Sequence, residues 1–158
     1  MGELNWNVLD IDYAQEAERI ATRLRETVAR VLHKRGLVVA ISGGVDSSVC
    51  AALAVKALGA ERVYTLILPE RDSADASADN AHMLAKHLGV RVETFDIAPA
   101  LAAIGCYHAR DEAVRRVLPA YDDDWRMKIA IAGGVEGRIN HFHLIAESPD
   151  GTVHEQPL

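Results

Sequence analysis

Cysteine is rare in this sequence. Only Cys50 and Cys106 occur, so no disulfide framework holds the chain and no CxxC pair offers a redox or zinc motif. A reduced, cytoplasmic protein is the expectation. Long apolar runs are missing too: none approaches the roughly 18–20 residues of a membrane span. Met1 to Tyr13 is acidic and mixed, without the basic-then-apolar pattern of a signal peptide. Positive charge is in short supply, with Lys plus Arg at 17 against Asp plus Glu at 23, a net −6. That balance argues against bulk nucleic-acid or anionic-membrane binding. Nucleotides remain open as ligands, because backbone N–H groups do not enter the charge count. Internal repeats and low-complexity tracts are absent.

What is present is an ordinary globular composition, 49% hydrophobic and 25% charged over 158 residues. The length fits one domain, 1–158, with a core at about 13–118 and an extension at about 119–158. Residues 13–34 carry apolar side chains at helical spacing (Ala17, Ile20, Leu24, Val28, Val31), ended by Gly36. Leu37 to Ile41 is a continuous apolar run, the pattern of a strand buried on both faces of a parallel sheet. A turn at Ser42 to Val45 follows, and then a helix opened by Asp46 to Ser48 and closed by Gly59. Val63 to Leu68, stopped by Pro69, reads as a second buried strand. Ser73 to Leu88 reads as a helix, and Arg91 to Ile97 as a third strand. Short helices are expected at Pro99 to Ile104 and Asp111 to Val117. This alternation predicts an α/β fold, an open and mostly parallel sheet with flanking helices. Beyond Pro119 the pattern changes. Lys128 to Ala132 reads as a strand, and Asn140 to Glu147 and Thr152 to Gln156 flank the turn signal Ser148-Pro149-Asp150-Gly151, which predicts a C-terminal β-hairpin. Pairing Glu147 with Thr152 places Phe142, Leu144, Ala146 and Val153 on one apolar face.

The strongest chemical signal is Ser42-Gly43-Gly44-Val45-Asp46-Ser47-Ser48, set between a buried strand and a helix start, where open α/β sheets bind ligands. Glycines let backbone approach phosphate oxygens without a Cβ clash, and N–H groups of the loop and helix terminus then point at the anion. Ser42, Ser47 and Ser48 add hydroxyl donors. Asp46 repels phosphate directly but suits a Mg²⁺ that bridges carboxylate and phosphate. Against this stands a plain glycine turn with Asp46 as N-cap; the full string in this setting outweighs it. The loop is no P-loop, because Val45-Asp46 stands where a Walker A has its lysine. Without that lysine the loop fits chemistry at the α-phosphate, with pyrophosphate as leaving group.

Ser42-Gly43-Gly44-Val45-Asp46-Ser47 resembles the SGGxDS signature of the N-type ATP pyrophosphatases. Leu68-Pro69-Glu70-Arg71-Asp72-Ser73, Asp79-Asn80-Ala81 and Leu84 to Val90 are similar to the NAD synthetase family within that group, as are Cys106 to Val117 and Glu147 to Gly151. The resemblance covers most of the chain and is densest over 37–90. It implies an adenine nucleotide alpha hydrolase-like fold and an ATP-dependent C–N ligase. In such an enzyme ATP adenylylates the nicotinate carboxylate of deamido-NAD with release of pyrophosphate, and ammonia displaces AMP to give NAD. It further implies that Ala40, Ile41, Ser42, Gly43, Gly44, Val45, Asp46, Ser47 and Ser48 hold the ATP phosphates, that Asp46 carries Mg²⁺, that Leu68 lies against adenine, and that Arg71 is a phosphate candidate. Family membership implies a homodimer. The later motifs of the family have no counterpart here, so the chain resembles an N-terminal half of such an enzyme, whether truncated, split between two chains or diverged, and a partner chain supplying the rest is the alternative to the homodimer.

Other candidates weigh less. Ala132 to Gly137 nearly fits G-x-G-x-x-G but lacks the following helix and reads as a loop. His141, His143 and His154 fall on one face of the expected hairpin, as a polar face or, less favoured, a zinc site. Cys106 and His108 lie two apart, which does not make a dyad. Cys50 reads as a small buried side chain, Trp6, Tyr121 and Trp125 as packing residues, and Asp122 to Asp124 as a solvated loop. No residue is an evident general base. Two rivals keep the loop: a ligase or sulfur transferase with another substrate, and a non-catalytic nucleotide-binding half.

Overall fold

The computed structural model describes residues 10–132 and 141–158. The chain divides into two compact units, Met1–Ala98 and Pro99–Leu158.

In the first unit the parallel sheet has the order β1-β2-β3, from β1 Leu37–Ala40, β2 Val63–Ile67 and β3 Arg91–Thr94. Leu37 stands opposite Val63, and Tyr64 opposite Arg91. The crossovers are α2 Val45–Leu58 and α3 Asp75–Leu88. Both run the same way along the sheet, so both helices land on the same face. There Ile41, Val63 and Ile67 are buried with Ala51 and Ala54 of α2 and Ala81 and Ala85 of α3. The alanines let the helices sit close, and each buried isoleucine contributes roughly 1.5–3 kcal/mol. Thr65 is wholly buried on that face, and its Oγ1 donates to Arg91 O at 2.7 Å. Helix α1, Tyr13–Glu26, is capped by Asp12, whose side chain accepts from the Ala14 and Gln15 N–H groups. It is tied to α2 by Arg25 Nε to Ala57 O (2.8 Å) and Lys56 to Glu18 (2.9 Å).

The expected parallel sheet is present, with three local corrections. The helix expected to run unbroken over 13–34 gives way after Glu26 to one wider turn, Thr27–Val31, which ends with His33 in the left-handed region (φ 51°). Strand β1 is not buried on both faces. Val38 is 63% exposed and Ala40 is exposed, because β1 is an edge strand and the helices of this unit cover only the face of Leu37 and Val39. Cys50 is likewise exposed rather than buried, since the small positions turned inward on α2 are Ala51, Ala54 and Ala57.

The second unit holds α4 Ala98–Ala103, which begins at the unit boundary, α5 Cys106–Val117 and an antiparallel sheet of order β4-β5-β6. Its strands are β4 Arg126–Ala132, β5 His141–Glu147 and β6 Val153–Pro157. Val114, Leu118, Tyr121, Leu144 and Ala146 form its core, with Trp125 and Met127 against it. The packing roles of Tyr121 and Trp125 hold. The hairpin is present, but its register differs by one: Glu147 pairs with Val153, not Thr152. Gly151, at φ 84°, adds a residue to the turn, with Gly151 N–H donating to Ser148 O and Ser148 N–H to Thr152 O. A one-residue slip moves every β6 side chain to the other face. Val153 therefore leaves the Leu144 face, and His154 joins it opposite Ala146, its ring 5.0 Å from that of Trp125. His143 lies on the other face with Nδ1 2.6 Å from Glu155 Oε1. His141, two residues before it on β5, shares that face while His154 does not, so the three histidines are not on one face, and the described residues hold no cluster of three or more metal-ligating side chains. The glycine segment after Ala132 and Trp6 lie outside the described residues. Among the described residues no helix is long and apolar enough to cross a membrane.

Candidate nucleotide site

The glycine loop leaves β1 at Ala40 and enters α2 through Gly44, which is the N-cap. Asp46 is therefore in the first turn of α2 rather than capping it. Its carboxylate is exposed and stands where the helix dipole favours negative charge. The loop hydroxyls are engaged with one another. Ser47 Oγ accepts from Ser42 N–H (3.1 Å) and lies 3.2 Å from Ser42 Oγ. Both Ser47 Oγ and Ser48 Oγ donate to Gly44 O, at 3.1 and 2.7 Å. The strand-to-helix turn is thus held before any ligand arrives. The first N–H groups of α2 have no intrahelical acceptor and face out of its N-terminus.

The two loop glycines differ in what they permit. Gly43 has φ 76°, and a Cβ there would stand 2.3 Å from Ser77 O on α3. Only glycine allows loop and helix to approach so closely. Gly44 has a negative φ, and a Cβ would meet nothing nearer than Ser42 Oγ at 3.4 Å. Space around Gly44 is open on the side a ligand would take.

A cleft of about 420 Å³ opens at the C-terminal ends of β1 and β2. Of the residues singled out from sequence, Ala40, Ile41, Ser42, Leu68 and Arg71 line it together. Gly43, Gly44, Val45, Asp46, Ser47 and Ser48 do not; they run from its rim into α2. Leu68 is 39% exposed at the strand end and offers an apolar wall. The Arg71 guanidinium lies 3.2 Å from Asp72 Oδ1, so part of its charge is already matched. Ser73 and Ser77 also line the cleft and were missed. Their spacing of four across a helix start was the available signal, since it puts both on one side.

Glu70 and Ser73 shape the far wall: Ser73 Oγ accepts from Glu70 N–H (3.0 Å), and Asp72 N–H donates to Glu70 Oε1 (2.9 Å). The donor set fits Mg²⁺ held mainly by substrate phosphates, because the exposed Asp46 carboxylate stands in the first turn after the loop and that ion commonly takes one or two carboxylates plus phosphate oxygens. In the second unit, His108 Nε2 is 3.4 Å from Glu112 Oε1, one helical turn on. Its partner is thus a carboxylate, and no Cys106–His108 dyad forms.

Residues 16–132 match the family model for NAD synthase. The NH(3)-dependent NAD(+) synthetase of Rhizobium rhizogenes is 43% identical over 157 residues, 98% of this chain and 47% of that protein. The enzyme of the same name from Rhizobium meliloti is 44% identical, over 92% of this chain and 43% of its own length. The chain thus spans about half the length of the curated relatives it matches. Among solved structures, an NH3-dependent NAD synthetase from Campylobacter jejuni in complex with the nitrate ion superposes with a TM-score of 0.56 at 26% identity, over 62% of this chain and 42% of that one. A glutamine-dependent NAD+ synthetase from Acinetobacter baumannii in complex with ADP shares the fold, with a TM-score of 0.58 at 24% identity over 70% of this chain and 20% of its own. With its SGGVDS loop at the end of a parallel strand and an open cleft beside it, the chain belongs to the NAD synthase family and has its adenine nucleotide alpha hydrolase-like fold.

Proposed function

We propose that this chain carries the ATP-binding part of an ammonia-dependent NAD synthetase. The reaction is adenylylation of the deamido-NAD carboxylate by ATP, followed by displacement of AMP by ammonia. The observation that carries this reading is the cleft at the ends of β1 and β2, walled by Leu68 and entered beside the self-bonded loop Ser42–Ser48. The chain's own residues bind and orient. Leu68 and Ile41 offer apolar contact to an adenine, and the N–H groups at the start of α2 meet the phosphates. Ser73 and Ser77 supply hydroxyls on the opposite wall, while Gly44 leaves room for close approach. Asp46 holds Mg²⁺, which when bound neutralises phosphate charge and supports departure of pyrophosphate. Orientation and charge neutralisation are the contributions expected of such a site. The partners are small molecules, in a cytoplasmic protein that works as a homodimer or with a chain supplying the rest of the dinucleotide site.

A second reading, a nucleotide-binding half without catalysis of its own, is favoured by one observation: among the described residues that line the cleft there is no histidine or lysine. Isothermal titration tests both. The chain and an Asp46→Ala variant are titrated with ATP and with a non-hydrolysable analogue, with and without Mg²⁺. Mg²⁺-dependent binding that weakens at least tenfold in the variant is expected. Equal binding by both proteins would remove Asp46 from the site, and no binding by either would remove the cleft. Pyrophosphate release with deamido-NAD and ammonia then separates ligase from passive half.

A further inference from the structure

The antiparallel sheet of the second unit buries only part of its apolar face. Met127, Ile129 and Ile131 of β4 stand opposite Ala146, Leu144 and Phe142 of β5, so these side chains share one face. Val114, Leu118 and Tyr121 cover the end of it at Leu144 and Ala146. The other end is bare: Ile129 is 59% exposed, Ile131 64% and Phe142 53%. Beside it lies an apolar hollow of about 150 Å³ between Val114 and Val117 of α5 and Met127 and Ile129 of β4. The edge of β4 is free as well, since among the described residues no strand pairs with it on the side away from β5. Leu158 N–H donates to Phe142 O, and Ser148 N–H to Thr152 O. The even-numbered residues of β5 therefore turn their backbone groups to β6, and His143 and Ile145 turn theirs to Ala130 and Lys128. By alternation, the N–H and C=O of Met127, Ile129 and Ile131 point to the free edge. The opposite edge of the sheet, β6, is blunted by Glu155 and Pro157.

We infer that β4 is a self-docking strand: its free edge and the apolar face beside it take β4 of a second copy of this chain, antiparallel about a two-fold axis at Ile129. The order of residues along β4, Arg-Met-Lys-Ile-Ala-Ile-Ala, is the reason. Antiparallel pairing of identical strands is isologous, so one register serves both copies. Centred on Ile129, it sets Ile129 against the partner's Ile129, and Met127 against the partner's Ile131. The outward N–H and C=O groups of these residues then find one another, and the two apolar faces become continuous. Lys128 stands opposite the partner's Ala130. Registers centred on Lys128 or Met127 would instead set Lys128 against the partner's Lys128 or Arg126, and like charges directly opposite destabilise. Centring on Ala130 or Ile131 leaves Met127 unpaired. A slip of one residue puts the apolar side chains of one copy on the wrong face of the other. Charge on β4 thus selects the register that apolar pattern and backbone direction also favour. In it the partner's Ile131 lies beside Met127, on the open side of the hollow under α5. None of the residues lining the nucleotide cleft belongs to β4, so the inference stands apart from the NAD synthetase reading.

Sedimentation and cross-linking of the whole chain, without nucleotide, test it. Ile129→Lys should halve the sedimenting mass and weaken association roughly 100-fold. Ala130→Lys, which faces the partner's Lys128 with a like charge, should weaken it too, and Ala130→Glu should tighten it. Met83→Glu, exposed on α3, leaves it unchanged. Circular dichroism checks that each variant is folded. The register is read by disulfide formation with copper phenanthroline after Cys50→Ser and Cys106→Ser remove the two exposed thiols. Ile129→Cys should cross-link two chains, because directly paired residues lie about 5.5 Å apart at Cα, within disulfide reach. Lys128→Cys should not, because its two copies are diagonal rather than opposite, roughly 7–8 Å apart. A monomer at every concentration tested, an assembly untouched by Ile129→Lys, or equal cross-linking of Ile129→Cys and Lys128→Cys would overturn the inference.

Discussion

Gly43 and Gly44 are adjacent and identical in sequence, yet their surroundings assign them different work. At Gly43 an alanine meets both a left-handed φ and a carbonyl oxygen at 2.3 Å. Strain of this kind costs about 1–3 kcal/mol before the clash is counted. Chemical denaturation of Gly43→Ala should show at least that loss. Gly44→Ala has neither obstacle, so its stability should change by less than about 1 kcal/mol, while ATP affinity in titration falls at least tenfold. A Gly44→Ala protein with unaltered affinity would show that the ligand does not approach there. This distinction was hidden in the sequence, where the two glycines form one motif. So was the exposure of Cys50, because nothing in an alanine-rich helix says which small residue turns inward. Asp46 was legible as a candidate cation ligand, but its place in the first turn, two residues past the cap, was not.

Among elements, the alternation from β1 to β3 was legible to within a few residues. Apolar runs, helix-ending glycines and Pro69 each leave a local mark. The wider turn at Thr27–Val31 leaves none, because the apolar positions Val28 and Val31 fit a regular helix equally well. The hairpin was legible as a turn but not as a register, which hangs on the single extra residue at Gly151. That turn carries a measurable signature. The Asp150 carboxylate accepts from Ser148 Oγ and from Thr152 N–H, and these bonds hold its pKa at about 2, below its ordinary 3.8. The depressed value stabilises the folded turn fully above the ordinary carboxylate pKa, and that contribution fades as pH falls through about 2. An NMR titration should find the Asp150 midpoint near 2. In Ser148→Ala it should move up toward the ordinary value. A wild-type midpoint at 3.8 would mean the turn is not closed in solution.

At the scale of the molecule, two buried clusters share no residue, one centred on Ile41 and Ile67 and the other on Leu144 and Tyr121. Each unit therefore has the core it needs to unfold separately. In a Trp6→Phe variant the fluorescence of Trp125 reports on the second unit alone. Its denaturation midpoint should differ from that of amide exchange in β2. Coincident midpoints in both would mean a single cooperative block. Composition and charge made the size and the acidic balance legible, and the alternation of elements made the α/β class legible. They did not reveal that β1 stands at an edge, because strand order is set by long-range pairing rather than by local pattern. The squeeze of Gly43 against Ser77 has a mechanical corollary here. The loop is clamped to α3 at one end and continuous with β1 at the other, so it has almost no slack. A load placed on the β1 edge travels into α3 as through a stiff lever, and stiffness alone then links what happens at that edge to the width of the cleft.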